Sequence, residues 1–261
     1  MVSTLTIAGS DPSGGAGIQA DLKTFAAHGV YGMSVITAIT AQNTLGVTGV
    51  ETVSPEMIAA QLDAVFTDIV PDAVKIGMVA SREIAEVIAD RLKYYKPANV
   101  VLDPVMVATS GDTLCEDNPQ TMLLETLIPL ATVITPNIPE AGTLAGFEVA
   151  TKKDMMRAAR DLAGFYRGTI FIKGGHLSDT ADDLLYHEGF GFWMPQQRID
   201  NPNTHGTGCT LSSAIAANLA KGMDCVAAIR KAQQYVHGAI ADGLNLGQGN
   251  GPLNHLYQFN F

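Results

Sequence analysis

The chain is 261 residues long, 47% hydrophobic and 16% charged: enough apolar material for a sizeable core, and a composition that rules out intrinsic disorder. Its 16 Lys+Arg stand against 26 Asp+Glu, a formal net charge of −10, and a surface that negative repels phosphate backbones and anionic lipid. Neither nucleic acid nor a membrane surface is therefore an expected partner, and any phosphate-bearing ligand must be held by a local device such as backbone N–H groups, a helix N-terminus, a lysine or a metal.

Short β-branched runs alternate with amphipathic stretches along the chain. Leu5-Thr6-Ile7-Ala8 reads as a buried strand ending in a glycine-rich turn, followed by a helix from Ala16 to Ala27 with Ile18, Leu22 and Phe25 on one face. Met33 to Ala41 is strand-like. Ser54 caps a helix with Pro55 in its first turn and Ile58, Leu62 and Val65 as its inner stripe. Ala73–Ile76 is a strand, Arg82 to Tyr94 a helix, and Asn99–Leu102 a strand that runs into Asp103-Pro104. Thr132–Thr135 is a strand halted by Pro136, and Thr169–Ile172 is another. Leu184 to Trp193 reads as a hairpin turning at Glu188-Gly189, and two last helices run from Gly208 to Ala220 and from Cys225 to Ala241. This alternation predicts an α/β fold with a mainly parallel sheet covered on both faces, as one domain over residues 1–261.

Met1–Thr6 has neither the basic start nor the apolar run of a secretory leader, and there is no membrane-length run of about 18 uncharged apolar residues, so a cytoplasmic protein is expected. The three cysteines, Cys115, Cys209 and Cys225, are odd in number and far apart, which speaks against a disulfide framework and a structural zinc site.

In parallel sheets of this kind ligands sit beyond the carboxyl ends of the strands, so the segments following the strands carry the functional information. Gly9-Ser10-Asp11-Pro12-Ser13-Gly14-Gly15-Ala16-Gly17 places four glycines in nine residues, more than a tight turn needs, yet in neither the dinucleotide nor the P-loop spacing. Asp103 and the pair Asn137/Glu140, at neighbouring strand ends, suit a hydrated Mg²⁺, although each is also ordinary turn or capping chemistry. Lys173, beside Gly174-Gly175, is placed to meet a phosphate as a point charge. The strongest signal is Gly206-Thr207-Gly208-Cys209 opening an apolar helix. Several N–H groups and the positive end of a helix dipole then point at one spot, an anion hole suited to a phosphoryl group in flight. Cys209 lies in the first turn, where a thiol pKa tends to fall. Gln42 offers both a donor and an acceptor and reads as pocket wall or surface amide; Asp21 reads equally as an exposed helix position.

With these residues in view the chain resembles the hydroxymethylpyrimidine/phosphomethylpyrimidine kinases of thiamin biosynthesis, in the ribokinase-like superfamily. The resemblance runs nearly end to end, through Ala8–Asp21, Ala41-Gln42-Asn43-Thr44, Lys75-Ile76-Gly77-Met78, Asp103-Pro104-Val105-Met106, Thr135-Pro136-Asn137, Lys173-Gly174-Gly175-His176 and Gly206–Cys209. It implies a ribokinase-like three-layer α/β/α fold, usually a homodimer. It also implies two ATP-dependent steps, phosphorylation of 4-amino-5-hydroxymethyl-2-methylpyrimidine and then of its monophosphate. Carried over to this sequence, Gln42 would bond the aminopyrimidine edge and Asp21 would meet the hydroxymethyl group. Gly9, Met78 and Val105 would line the ring pocket. Lys173, Asn137, Glu140 and Thr204 would face ATP, with Asp103 and Glu140 at Mg²⁺, and Gly206, Thr207, Gly208 and Cys209 would form the anion hole. Many relatives in the superfamily carry Asp at the Cys209 position as general base. The thiol here suits a second acceptor that is already a phosphate with a pKa of about 6 and needs no base. Val107–Thr113 reads as a mobile flap. The nearest rival is a pyridoxal-type kinase, whose dual-specificity members place a second cysteine near Ala108; a non-catalytic binder of a thiamin precursor and a dehydrogenase are more distant.

Overall fold

The computed structural model describes residues 1–106, 118–177 and 180–259; the predicted flap and Cys115 lie outside the described residues. One nine-stranded sheet, in the order β3-β2-β1-β4-β5-β6-β7-β8-β9, forms the middle layer. β1 (Ser3–Ser10), β2 (Tyr31–Asn43), β4 (Ala73–Ile76), β5 (Val100–Leu102), β6 (Val133–Ile134) and β7 (Thr169–Ile172) pair in parallel, while β3 (Gly46–Thr52) at one edge and β8 (Asp183–His187) and β9 (Phe190–Met194) at the other run antiparallel. The central strands are buried on both faces, and accordingly read as mostly apolar runs such as Thr169–Ile172 and Ala73–Ile76, the latter interrupted by the buried Lys75.

Helices cover both faces, giving the three layers expected. α2 (Pro55–Phe66), α3 (Arg82–Tyr95), α4 (Pro119–Glu125), α5 (Ile138–Ala145) and α6 (Lys152–Ala163) pack on one face around Leu62, Ile88, Leu144 and Leu162. α1 (Gly17–Ala27), α7 (Thr207–Ala220) and α8 (Cys225–Asp242) pack on the other around Phe25, Ile215 and Ile229. The α2 stripe completes itself with Phe66, one residue beyond Val65, which is only half-buried. The hairpin turns at Glu188-Gly189 as predicted, both residues at positive φ.

Three helices and one strand lack a counterpart in the sequence reading. α5 and α6 each begin with a capping box, Asn137/Glu140 and Thr151/Asp154; β3 is an edge strand whose residues are mostly exposed. Chain order reverses at β1, with β2 on one side and β4 on the other. The carboxyl ends of the parallel strands beyond that switch point share one rim.

Candidate active site

That rim holds a cavity of about 770 Å³, within the usual size of a small-ligand site. It is lined by Gly9, Gln42, Met78, Asp103, Val105, Asn137, Glu140, Lys173, Thr204, Gly206, Thr207, Gly208 and Cys209, so every residue expected at the site except Asp21 faces one space.

Strand ends fix the charged wall. Asp103 follows β5, and its N–H still donates to Ile76 O at 2.9 Å, extending the ladder by one residue. Its carboxylate accepts from Lys173 Nζ at 2.9 Å and Thr135 Oγ1 at 3.1 Å through Oδ1, and from Ser212 Oγ at 3.4 Å through Oδ2. Lys173 is held by a backbone bond to Pro136 O (2.9 Å), a parallel bridge to Asn137, and a 3.8 Å approach to Glu140 Oε2. Burial pulls the Lys173 ammonium down, but Asp103 and then Glu140 outweigh it and hold it above its usual range. Burial pushes Glu140 up to about 7 against the pull of Lys173, with Asp103 adding to the rise.

The helix start supplies the adjoining wall. Gly206 sits in the left-handed region at φ +82°, and a Cβ there would collide with the backbone of Gly15. A Cβ on Gly208 would lie 3.3 Å from both Asp103 Oδ2 and Lys173 Nζ, so the turn rests against the ion pair. The Thr207 N–H donates to Thr204 O at 3.2 Å; the next N–H groups of α7 have no partner within the helix, and Gly206–Cys209 line the cavity. Cys209 departs from the sequence expectation. Burial raises its thiol to about 11; Lys75 and the Gly17 N–H pull it down, while Asp21 and Asp103 oppose them. Desolvation outweighs the helix start, and the thiol keeps its proton at neutral pH.

The remaining wall suits a flat polar ring. Met78 follows the Ile76-Gly77 strand end, and Gly9 leaves it room: a Cβ there would stand 3.1 Å from the Met78 sulfur. Thr40 Oγ1 lies 3.1 Å from Gln42 Oε1 and orients the amide at the cavity edge.

Two further expectations change. Asp21 is neither an exposed helix position nor a cavity residue. It is fully buried, with Lys75 Nζ 2.8 and 2.9 Å from its two oxygens and with Thr6 and Ser213 hydroxyls each donating at 2.6 Å. It pins β1, α1, β4 and α7 together beneath the site. The Asn137 side chain caps α5, accepting from Glu140 N–H at 2.9 Å, while Glu140 Oε2 accepts from Asn137 N–H at 2.7 Å. Sequence reasoning missed Asp11 and His205, both in the cavity wall and joined at 2.9 Å; they are separated by 194 positions and neither sits in a recognisable spacing. Gln196, Arg198, Gln233 and His237 also line the cavity, and burial pushes Asp183, bonded to Gln233 and to the Gly174 N–H, up to about 6.

Among the described residues no group of three or more His, Cys, Asp or Glu forms a metal cage. Glu140 Oε1 is free of the contacts above and Asp103 Oδ2 carries only the 3.4 Å Ser212 contact, a donor set that fits a Mg²⁺ arriving with its own phosphate and water ligands.

A family model described as phosphomethylpyrimidine kinase matches residues 11–254. The hydroxymethylpyrimidine/phosphomethylpyrimidine kinase of Rhizobium meliloti is 52% identical over 98% of this chain and 97% of its own. Among solved structures, the phosphomethylpyrimidine kinase of Clostridium difficile superimposes with a TM-score of 0.83 at 47% identity, covering 92% of this chain and 100% of that one. The ADP complex of Bacillus subtilis pyridoxal kinase does so with 0.91 at 40% identity, covering 99% and 98%. A match of this extent, on a chain whose strand ends carry the motifs in order, means that the protein belongs to the phosphomethylpyrimidine kinase family.

Proposed function

We propose that the protein transfers the γ-phosphoryl group of ATP first to the hydroxymethyl group of 4-amino-5-hydroxymethyl-2-methylpyrimidine and then to the resulting monophosphate, serving thiamin biosynthesis. The observation that carries this reading is the facing of two walls across one cavity: the Gly206–Cys209 helix start, packed against the Lys173–Asp103 pair, and the Gly9/Met78/Gln42 wall. Phosphoryl transfer needs little covalent help from the protein and is accelerated by positioning and by charge placed where the equatorial oxygens gather density.

In this reading Gln42 donates through Nε2 and accepts through Oε1, matching the adjacent ring nitrogen and amine of the pyrimidine. Met78 and Val105 sandwich the ring, and the free N–H groups of the Gly206–Cys209 helix start receive the transferring group. Lys173 and Thr204 meet the nucleotide phosphates. Asp103 and Glu140 would hold a Mg²⁺, which would supply positive charge beside the nucleotide phosphates; Asn137 keeps Glu140 in place through the cap. The neutral Cys209 thiol admits a dianionic acceptor that a fixed carboxylate would repel. A homodimer and a cytoplasmic location belong to the same proposal; no helix among the described residues is long and apolar enough to cross a membrane.

The test is ³¹P NMR of the protein with ATP, Mg²⁺ and the hydroxymethylpyrimidine, with pyridoxal in a parallel tube. Monophosphate followed by diphosphate is the expected result. Pyridoxal phosphate alone would transfer the assignment to vitamin B6 salvage, the second reading favoured by the 0.91 superposition on a pyridoxal kinase. No product in either tube would leave a binder without turnover.

A further inference from the structure

The glycine-rich loop after β1 and the turn that starts α7 touch at the backbone, and the contact is built around His205. Gly15 has no room for a Cβ because the His205 ring and Pro252 lie against it, and Gly206 has none because Gly15 does. His205 is 5% exposed and Asp11 2%. Asp11 uses Oδ1 to accept from Ser13 N–H (2.8 Å) and Ser13 Oγ (2.7 Å), ordering its own loop. Its Oδ2 accepts from Ala16 N–H (2.8 Å) and from His205 Nε2 (2.9 Å). Burial opposes ionisation, but these bonds, led by that of His205, hold the Asp11 carboxyl below its usual range. It is therefore an acceptor only, and Nε2 carries the proton. The His205 backbone N–H donates to Gly251 O at 3.0 Å and the residue bridges Pro252 in parallel. The same C-terminal strap then bonds the first turn of α7, His255 Nε2 to Thr210 Oγ1 at 3.0 Å.

The geometry points to His205 as a positioning residue for phosphoryl transfer: clamped by Asp11 and by the strap, it fixes the helix start Gly206–Cys209, with its free N–H donors, against the adjacent glycine-rich loop. Fixing those donors matters most when charge is on the moving phosphoryl group, because preorganised donors cost no rearrangement at that moment. The inference rests on the kinase reading for its chemistry but not on the acceptor, so its test is run without one.

Calorimetric titration compares Mg-ADP alone with Mg-ADP plus aluminium fluoride, a planar mimic of the phosphoryl group in flight. His205→Leu should bind Mg-ADP as the unaltered protein does and lose about a hundredfold of the tightening that aluminium fluoride adds, the scale of an ångström of misplacement. His205→Gln, which keeps an N–H donor within reach of Asp11, should restore most of that tightening; a role in packing alone would not be rescued. The inference is overturned if His205→Leu keeps the tightening, or if His205→Gln loses as much as His205→Leu. Should His205→Leu fail to fold, Asp11→Asn decides: an amide cannot accept all four bonds, so its tightening should fall, and full tightening there overturns the inference. Turnover of the hydroxymethylpyrimidine by the unaltered protein is scored separately. No turnover, with the tightening present and lost as stated, would refute the substrate and support the positioning role; no tightening in the unaltered protein would overturn that role.

Discussion

A thiol raised by burial to about 11 holds its proton at neutral pH and so cannot act as a base poised near 7. Cys209 then contributes a small neutral group to the anion hole, and its removal should cost little where the acceptor needs no base. Cys209→Ala is expected to slow phosphorylation of the monophosphate by less than about tenfold, under about 1.4 kcal/mol of barrier, measured by single-turnover kinetics of each step. Cys209→Asp should spare the alcohol step more than the phosphate step, since the new carboxylate would face an anionic acceptor; equal loss of both would sink the idea. Asp21 poses the complementary question, because its environment is that of a structural ion pair. Lys75→Met leaves a buried carboxylate unpaired and should cost about 3–5 kcal/mol in urea unfolding, and adding Asp21→Asn should recover much of it. An unchanged KM for the pyrimidine alcohol in the double variant would confine Asp21 to the core, whereas a large rise would return it to the substrate.

The elements that escaped the sequence are those whose signals are local in chemistry but not in hydrophobicity. α6 sets six charged residues, Lys152, Lys153, Asp154, Arg157, Arg160 and Asp161, against six apolar ones, and its inner face, Met155, Ala158, Ala159 and Leu162, includes two alanines, whose small side chains weaken the stripe. β3 buries too little for the alternation that betrays a strand. The central strands were legible because burial on both faces favours short runs rich in apolar and β-branched residues. The site was legible wherever glycines follow those runs. Asp11–His205 and Asp21–Lys75 were not, since each needs the fold to bring distant positions together. Asn137 joins the two kinds of information: a cap readable from its spacing to Glu140, and a residue the family resemblance placed at ATP. Asn137→Ala should destabilise the protein by about 1 kcal/mol and weaken Mg-ATP binding as the first turn of α5, which carries Glu140, loses its side-chain cap. Asn137→Ser, which can still cap, should restore both if the residue acts only through the helix. Restored stability with binding still weak, read by urea midpoints and nucleotide titration, would instead place Asn137 in contact with the nucleotide.

Across the whole molecule, an active site at the rim of a buried sheet sets stability against function. Glu140 is pushed up to about 7 and Asp183 up to about 6, each chiefly by burial. The folded protein therefore holds protons that the unfolded chain has already released. Stability from these groups is fully present below their ordinary values, near 4, and is lost as pH rises through the folded ones, at most about 3 kcal/mol for each. Carboxyls such as Asp11, kept below their usual range by hydrogen bonds, act in the opposite sense and lose their contribution in acid. Stability should thus peak on the acid side of neutrality, with the urea midpoint falling between pH 5 and pH 8. Glu140→Gln keeps an oxygen for the Asn137 N–H and should flatten that fall; an identical slope in the variant would mean that Glu140 does not titrate there. Mg-ATP affinity should run the other way, rising between pH 6 and 8, because only the ionised carboxylate serves the metal. The proton that steadies the empty cleft is then the one that Mg-ATP must displace, and saturating Mg-ATP should shift the most stable pH upward.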